Sequence, residues 1–242
     1  LQLTIYFGSL PAQEWLLLRT PRVTQQETYS FIEGLLSAKA DLQAANLISH
    51  RSKISVAGCQ ALLARLNLQQ GSFQKALDLS SSAINDYNSS LGSGNTVFTN
   101  TTSPEVIWAS SNQLNSPEVG FTFNKGTILP EIRLAEMLLI NAEGAVELGQ
   151  LSSVVRDRIN PLRARAGLAA ITATDQPTLR TAVQEEWKRE MAREGMRFSS
   201  LARWHKTMPE LGPLGFAQKN RYLPIPQGVL DWNFNLQQNP GY

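Results

Sequence analysis

The chain has one cysteine, two histidines and a small charge imbalance, and each scarcity removes a class of protein. With Cys59 alone, no intrachain disulfide can form, so no disulfide framework shapes the fold. Cys59 lies in an apolar, helical pattern that suits a buried thiol rather than a reactive one. His50 and His205 are not in metal-ligand spacing, and no metal is expected. Gly92-Ser93-Gly94 lacks the strand, third glycine and acidic partner of a nucleotide loop, and no cofactor is expected. No stretch approaches the roughly 18 apolar residues of a membrane-spanning helix. A net charge of +2 on 242 residues, without a basic block, argues against nucleic acid. Leu1 is not an initiator Met and no basic leader precedes an apolar run, so the chain reads as a processed or truncated product.

What is present is dominated by helical periodicity. Leu179, Val183, Trp187 and Met191 recur every four residues and share one helix face. Acid precedes base around them: Glu185 before Lys188 and Arg189, Glu186 before Arg189, Glu190 before Arg193, Glu194 before Arg197. Gly195 interrupts, and Phe198, Leu201, Ala202 and Trp204 resume an apolar face on a second short helix. Earlier, residues 25–47 predict a long helix with Tyr29, Ile32, Leu36, Ala40 and Ala44 on one side. Ser52 or Ser55 caps the next helix, and Ser72 the one after.

Ala64, Gly71, Phe73, Ala76 and Ala83 fall at the spacings where a tetratricopeptide repeat places its small and aromatic packing residues. A weaker echo follows in Ala142, Gly149 and Leu151. Between them, residues 85–129 are rich in Ser, Asn, Thr and Gly. Ser103-Pro104-Glu105-Val106 returns as Ser116-Pro117-Glu118-Val119, each copy followed by aromatics, which predicts turn, short strand, turn, short strand. Pro130 then opens an amphipathic helix ending at Gly149. Another helix reaches Arg165, kinked or re-initiated at Pro161 and closed by Gly167. The tail, YLPIPQGVLDWNFNLQQNPGY, has two prolines that favour extended chain, so it is expected to wrap over the body without a helix. Three segments follow: 1–84 as a repeat-like helical part, 85–129 as a loop-rich excursion, and 130–242 as a helical region with an extended tail.

IRLAEMLLINAEGAVELG, INPLRARAGL, EEWKREMAREGMRFSSLARW and YLPIPQGVLDWNFNLQQNPGY occur in an order that resembles the C-terminal part of the SusD/RagB family of outer-membrane lipoproteins. YFGSLPA and ISVAGCQALLARLNLQQGSFQKAL resemble that family's middle repeats. The resemblance implies an all-α, tetratricopeptide-like scaffold with long irregular loops and a few short strands. It implies a non-catalytic protein that binds oligosaccharide or polysaccharide and delivers it to a TonB-dependent, SusC-like transporter at the cell surface. Members are usually about twice this long, which implies a preceding N-terminal portion with the acylated anchor cysteine; Cys59, in mid-helix, is not that anchor. Ser200 stands where the family commonly has Asp.

Sugar binding needs flat aromatic faces for the apolar side of a pyranose and amides for its hydroxyls. Residues 85–129 supply both, and Trp108, Asn112, Gln113 and Phe121 are the candidate ligand residues. Trp108 reads as a stacking platform or, by the more common pattern, as a strand residue buried on the scaffold. Glu190 and Glu194, one helical turn apart, are compatible with a retaining glycosidase pair at about 5–5.5 Å. The arginine three residues beyond each favours ion pairing instead. Ser72 and Lys75 match an S-x-x-K pattern, but its companion motifs are missing. The alternative class is a tetratricopeptide-type protein–protein adaptor, which leaves the Arg-Trp helix pair and the tail unexplained.

Overall fold

Thr24 opens helix α1 (Gln25–Ser37) with a reciprocal cap: its hydroxyl accepts the Glu27 N–H at 3.1 Å, and the Glu27 carboxylate accepts the Thr24 N–H at 2.7 Å. The computed structural model describes residues 22–37, 54–87, 90–92, 96–99, 103–110, 129–151 and 153–242. Tyr29, Ile32 and Leu36 are the half-buried side of α1, as their spacing predicts, while Phe31 and Leu35 are exposed. Its expected continuation through Ala40 and Ala44 lies outside the described residues. Those residues fall into two units, 29–204, and 22–28 with 205–242.

In the larger unit, Ser55 caps α2 (Val56–Gln69) by accepting the Gly58 N–H at 3.1 Å. Ser52 is outside the described residues. Helix α3 (Phe73–Tyr87) follows directly after Ser72. The turn needs a left-handed residue, and Gly71 supplies φ 75°. Its N–H bonds Leu68 O at 3.1 Å and the Ser72 N–H bonds Asn67 O at 2.9 Å, so two terminal carbonyls are satisfied. Ala64, Ala76 and Ala83 are fully buried in the hairpin that results. The same turn closes α5 (Leu134–Glu147), where Gly149 has φ 70° and the Gln150 N–H bonds Ala145 O at 2.8 Å. Helix α6 (Ser153–Arg165) then continues through Pro161. The architecture is therefore a mostly helical, tetratricopeptide-like scaffold.

Helix α5 is the axis of that scaffold. Every residue from Leu134 to Val146 is buried, and α2, α3, α6 and α7 (Gln176–Glu190) pack around it. At about 1.5–3 kcal/mol for each large apolar side chain removed from water, α5 anchors the unit. Helix α3 comes so near that a Cβ on Gly144 would lie 3.1 Å from Phe73 O. Helix α7 starts at an Asp175 cap and buries Leu179, Val183, Trp187 and Met191, the face its periodicity predicts. Helix α8 (Arg197–Arg203) buries Leu201, but Phe198 stays 43% exposed.

Residues 129–133 depart from expectation. Helix α5 begins at Leu134, and Leu129–Arg133 is strand β2, paired antiparallel with β1 (Val106–Ser110). The pairing joins Val106 to Arg133, Trp108 to Ile132 and Ser110 to Leu129, with irregular register on both sides of Trp108. A non-local ladder has overridden local helical periodicity here. Pro104 and Glu105 form the turn expected before β1. The short helix α4 (Thr96–Thr99) buries Val97 and Phe98 against this pair.

The smaller unit contains α9 (Thr207–Leu211), two single-turn 3-10 segments and α10 (Gln227–Trp232). The expectation of a tail without helix is corrected by α10, which starts just after Pro226. Proline in a helix interior costs a hydrogen bond, but just before the first turn its missing N–H costs nothing. The two ends of the tail are clamped together by side-chain amides. Gln238 accepts the Ile225 N–H at 2.8 Å and donates to Ile225 O at 2.9 Å. Asn239, itself buried, donates to Leu223 O and accepts from Arg22 at 2.6 Å. That exchange explains why QNPGY must accompany LPIP.

Candidate functional site

The β1–β2 pair brings together two described parts of the chain on either side of residues 111–128. Ser110 pairs with Leu129, so the two described residues that flank 111–128 stand side by side. Trp108 is on β1 just before that stretch, half-buried and packed on the main core. Asn112, Gln113 and Phe121 lie outside the described residues, as do Asn115 and Phe123. Of the four candidate ligand residues, the structure thus positions Trp108.

Beneath the strand pair is a buried ionic cluster centred on Arg133, whose side chain is 3% exposed. Its Nη1 donates to Glu105 at 2.8 Å and to Glu190 at 2.5 Å. Its Nε and Nη2 grip both oxygens of Glu194 at 2.9 Å, and Nη2 also reaches Glu190 O at 2.8 Å. Arg165, from the end of α6, bridges Glu105 and Glu190. Glu105 accepts the Gly92 N–H at 2.8 Å as well. One cluster therefore ties β2, the turn before β1, the end of α6, the end of α7 and the loop at Gly92. Two guanidinium groups meet three carboxylates. Burial opposes the charge on Arg133, yet Glu194, Glu190 and Glu105 together hold its proton more firmly than usual. Burial likewise pushes Glu190 upward, but Arg133 and Arg165 outweigh it and leave the carboxyl below its ordinary range.

A second pin lies on the opposite stretch of α5. Glu143, 3% exposed, accepts a two-toothed contact from Arg203 at 2.8 and 2.9 Å, and the Trp204 indole N–H at 2.8 Å. The Arg203 guanidinium lies 5.4 Å from the ring centres of both Trp187 and Trp204. This is the helix pair with two tryptophans that the sequence singles out, held by an acid 60 residues away.

The ion pairing of Glu190 and Glu194 also decides their chemistry. A general acid must hold a proton near neutral pH. Glu190 is kept ionised by two arginines, and both oxygens of Glu194 are taken by Arg133. Lys75 is a surface residue 3.6 Å from Glu33, and Cys59 is a buried thiol outside any disulfide. Sequence reasoning identified neither Arg133 nor Glu105 nor Arg165. The available signals were an arginine set in the apolar run ILPEIRLAEMLL and the glutamate of the first Ser-Pro-Glu-Val.

Comparison with known proteins places this architecture. The model of the SusD family matches residues 85–215, more than half of the chain. The chain belongs to the SusD family. No curated protein matches it. Among solved SusD-like structures, one from Bacteroides fragilis superposes with a TM-score of 0.78 at 16% identity, covering 93% of this chain and 73% of that one. A laminarin-binding SusD-like protein gives 0.74 at 22% identity, over 91% of this chain and 70% of that one. Surface glycan-binding protein A from Bacteroides uniformis gives 0.73 at 18%, over 91% and 70%. The SusD fold is retained here although most side chains differ.

Proposed function

We propose that this SusD-family chain is a non-catalytic glycan-binding protein of the outer-membrane surface, delivering oligosaccharide or polysaccharide to a TonB-dependent, SusC-like transporter. The observation that carries this reading is family membership together with a fold shared with a laminarin-binding and a surface glycan-binding protein. The local architecture supports it. The helical scaffold brings Ser110 and Leu129, which flank 111–128, side by side, and the sequence of that stretch is rich in the amides and aromatics that saccharides need. Trp108 and Phe121 are the proposed stacking residues, and Asn112 and Gln113 the proposed hydroxyl partners. Anchoring is proposed to come from an acylated N-terminus outside the present sequence.

A glycan array tests the reading directly, paired with capture of a TonB-dependent barrel from outer membranes. Retention on at least one polysaccharide, without release of reducing sugar, is the expected result. Binding of a peptide with no glycan retained would favour the adaptor class instead. Trp108→Ala should weaken retention in polysaccharide affinity gels by about tenfold, in line with loss of one stacking contact. Unchanged retention with the melting temperature preserved removes Trp108 from the site.

A further inference from the structure

A cavity of about 140 Å³ lies where α2, β2 and the turn after α7 meet, and Arg65, Glu131, Arg133, Glu136 and Glu194 are its charged lining. Most of that charge is already matched. Nε and Nη2 of Arg65 take the two oxygens of Glu136 at 2.6 and 2.7 Å. Arg133 takes both oxygens of Glu194, and its Nη1 is spent on Glu105 and Glu190. Two polar groups are left over. Among the described residues, Arg65 Nη1 has no acceptor, and the Glu131 carboxylate has neither a donor nor an ion pair.

The position of the Arg65 head is fixed by lining residues, because its Nη2 also donates to Glu131 O at 2.6 Å. Its side chain is 30% exposed, so the unmatched nitrogen is within reach of solvent. Glu131 is half-buried, and Arg65 is the charge that acts on it. Burial outweighs that attraction and pushes the Glu131 carboxyl above its ordinary range. A carboxylate left poorly solvated and unpaired works against folding, so the scaffold gains nothing from it.

A carboxylate offers only acceptors and a guanidinium only donors. Together they suit a group that donates and accepts at once, as two neighbouring sugar hydroxyls do. A fixed anion would meet three carboxylates here and a fixed cation two guanidinium groups, whereas a neutral polyol meets neither penalty. The cavity is smaller than the roughly 300–1,000 Å³ that encloses a drug-sized ligand, so it takes the edge of one ring.

We infer that this cavity is a hydroxyl-binding subsite for one neutral hexose unit, with Glu131 accepting from a pair of adjacent hydroxyls and Arg65 donating to one of them. The inference rests on the glycan-binding reading above and adds scaffold residues, outside 111–128, to the site.

The experiment titrates the whole chain calorimetrically with four neutral hexaoses: laminarihexaose, cellohexaose, maltohexaose and mannohexaose. At least one should bind, and raised salt should leave its affinity unchanged. Glu131→Gln keeps the shape and loses the charge. It should weaken binding by about tenfold while the melting temperature holds or rises, since a poorly solvated charge is removed. Wild-type affinity should also fall as pH drops from 7 towards 4.5, as Glu131 takes up its proton above that ordinary value. The other charged groups of the cavity, Arg65 from α2, Glu136 from α5, Arg133 from β2 and Glu194 from beyond α7, are held in pairs, so the fall should vanish in Glu131→Gln. Unchanged affinity in Glu131→Gln overturns the inference. A lowered melting temperature does so too, by marking the carboxylate as structural, and so does binding of no hexaose. If the array still retains a glycan in any of these cases, only this subsite falls. If nothing is retained there, the glycan reading falls with it.

Discussion

Helix α5 carries a buried charge cluster at each end, and the two are built differently. Arg133, directly before its first residue, is a hub that serves three carboxylates from two separate segments. Glu143, near its last turn, is a pin that serves one guanidinium and one indole. Isolated buried charges are costly, so neither cluster adds much net stability over a well-packed apolar substitute. Breaking one is another matter, because the remaining charges cannot return to water. The hub leaves more charge stranded and joins more of the chain. It thus governs the β1–β2 pair, whereas the pin governs how α8 lies on the scaffold.

Substituting the two arginines gives the sharpest contrast. Arg133→Met removes the guanidinium that Glu105, Glu190 and Glu194 share, leaves Arg165 to pair with Glu105 and Glu190, and should cost about 3–5 kcal/mol in urea unfolding. Arg203→Met should cost less, about 2–3 kcal/mol, because the Trp204 N–H still satisfies one Glu143 oxygen. Equal costs would show that the number of stranded carboxylates does not matter.

Packing on α5 itself comes next. In Gly144→Ala, the new Cβ would stand 3.1 Å from Phe73 O, so α3 must shift by a few tenths of an ångström. A net loss of about 1 kcal/mol is expected, since easier helix formation offsets part of the overpacking. A gain in midpoint would mean that the α3–α5 contact is slack.

Acid should weaken the hub. Glu190 has a folded pKa below its ordinary value of 4.5, so its stabilising effect is present above that value and is lost as pH falls through the lower folded one. Urea midpoints should therefore drop on acidification below about pH 4.5. Glu190→Gln should be less stable at pH 7 and should show a shallower acid limb. An unchanged limb would remove Glu190 as a linked group. The smallest effect belongs to the Arg180–Glu147 pair, 2.7 Å apart but 38% and 21% exposed. Arg180→Ala should change stability by no more than about 0.5 kcal/mol.

Much of the helical frame was legible because its signals are local. Ser55 and Gly71 act within one turn of their own position, and the period of Leu179, Val183, Trp187 and Met191 marks a buried face whatever lies across from it. Two elements misled for the complementary reason. Ile132 and its neighbours fit a helical period, yet pairing with Trp108 made them a strand. The two prolines of the tail argue for extension, yet Pro226 stands just where a helix can start. The candidate site was legible only in composition: the amide- and aromatic-rich stretch is plain in the sequence, whereas the pairing of its flanks, Ser110 and Leu129, is not.

By itself, the sequence determined the Ser55 cap, the Gly71 turn, the repeat-like hairpin and the family resemblance, since each is carried by short local motifs. Only the tertiary structure decided that Glu105, Arg133, Arg165, Glu190 and Glu194 form one buried cluster. Their partners are separated by 25 to 61 positions, and no local rule pairs charges across such spans. Desolvation made that choice: once α5 is buried, each charge must take whatever opposite charge the packing brings within reach.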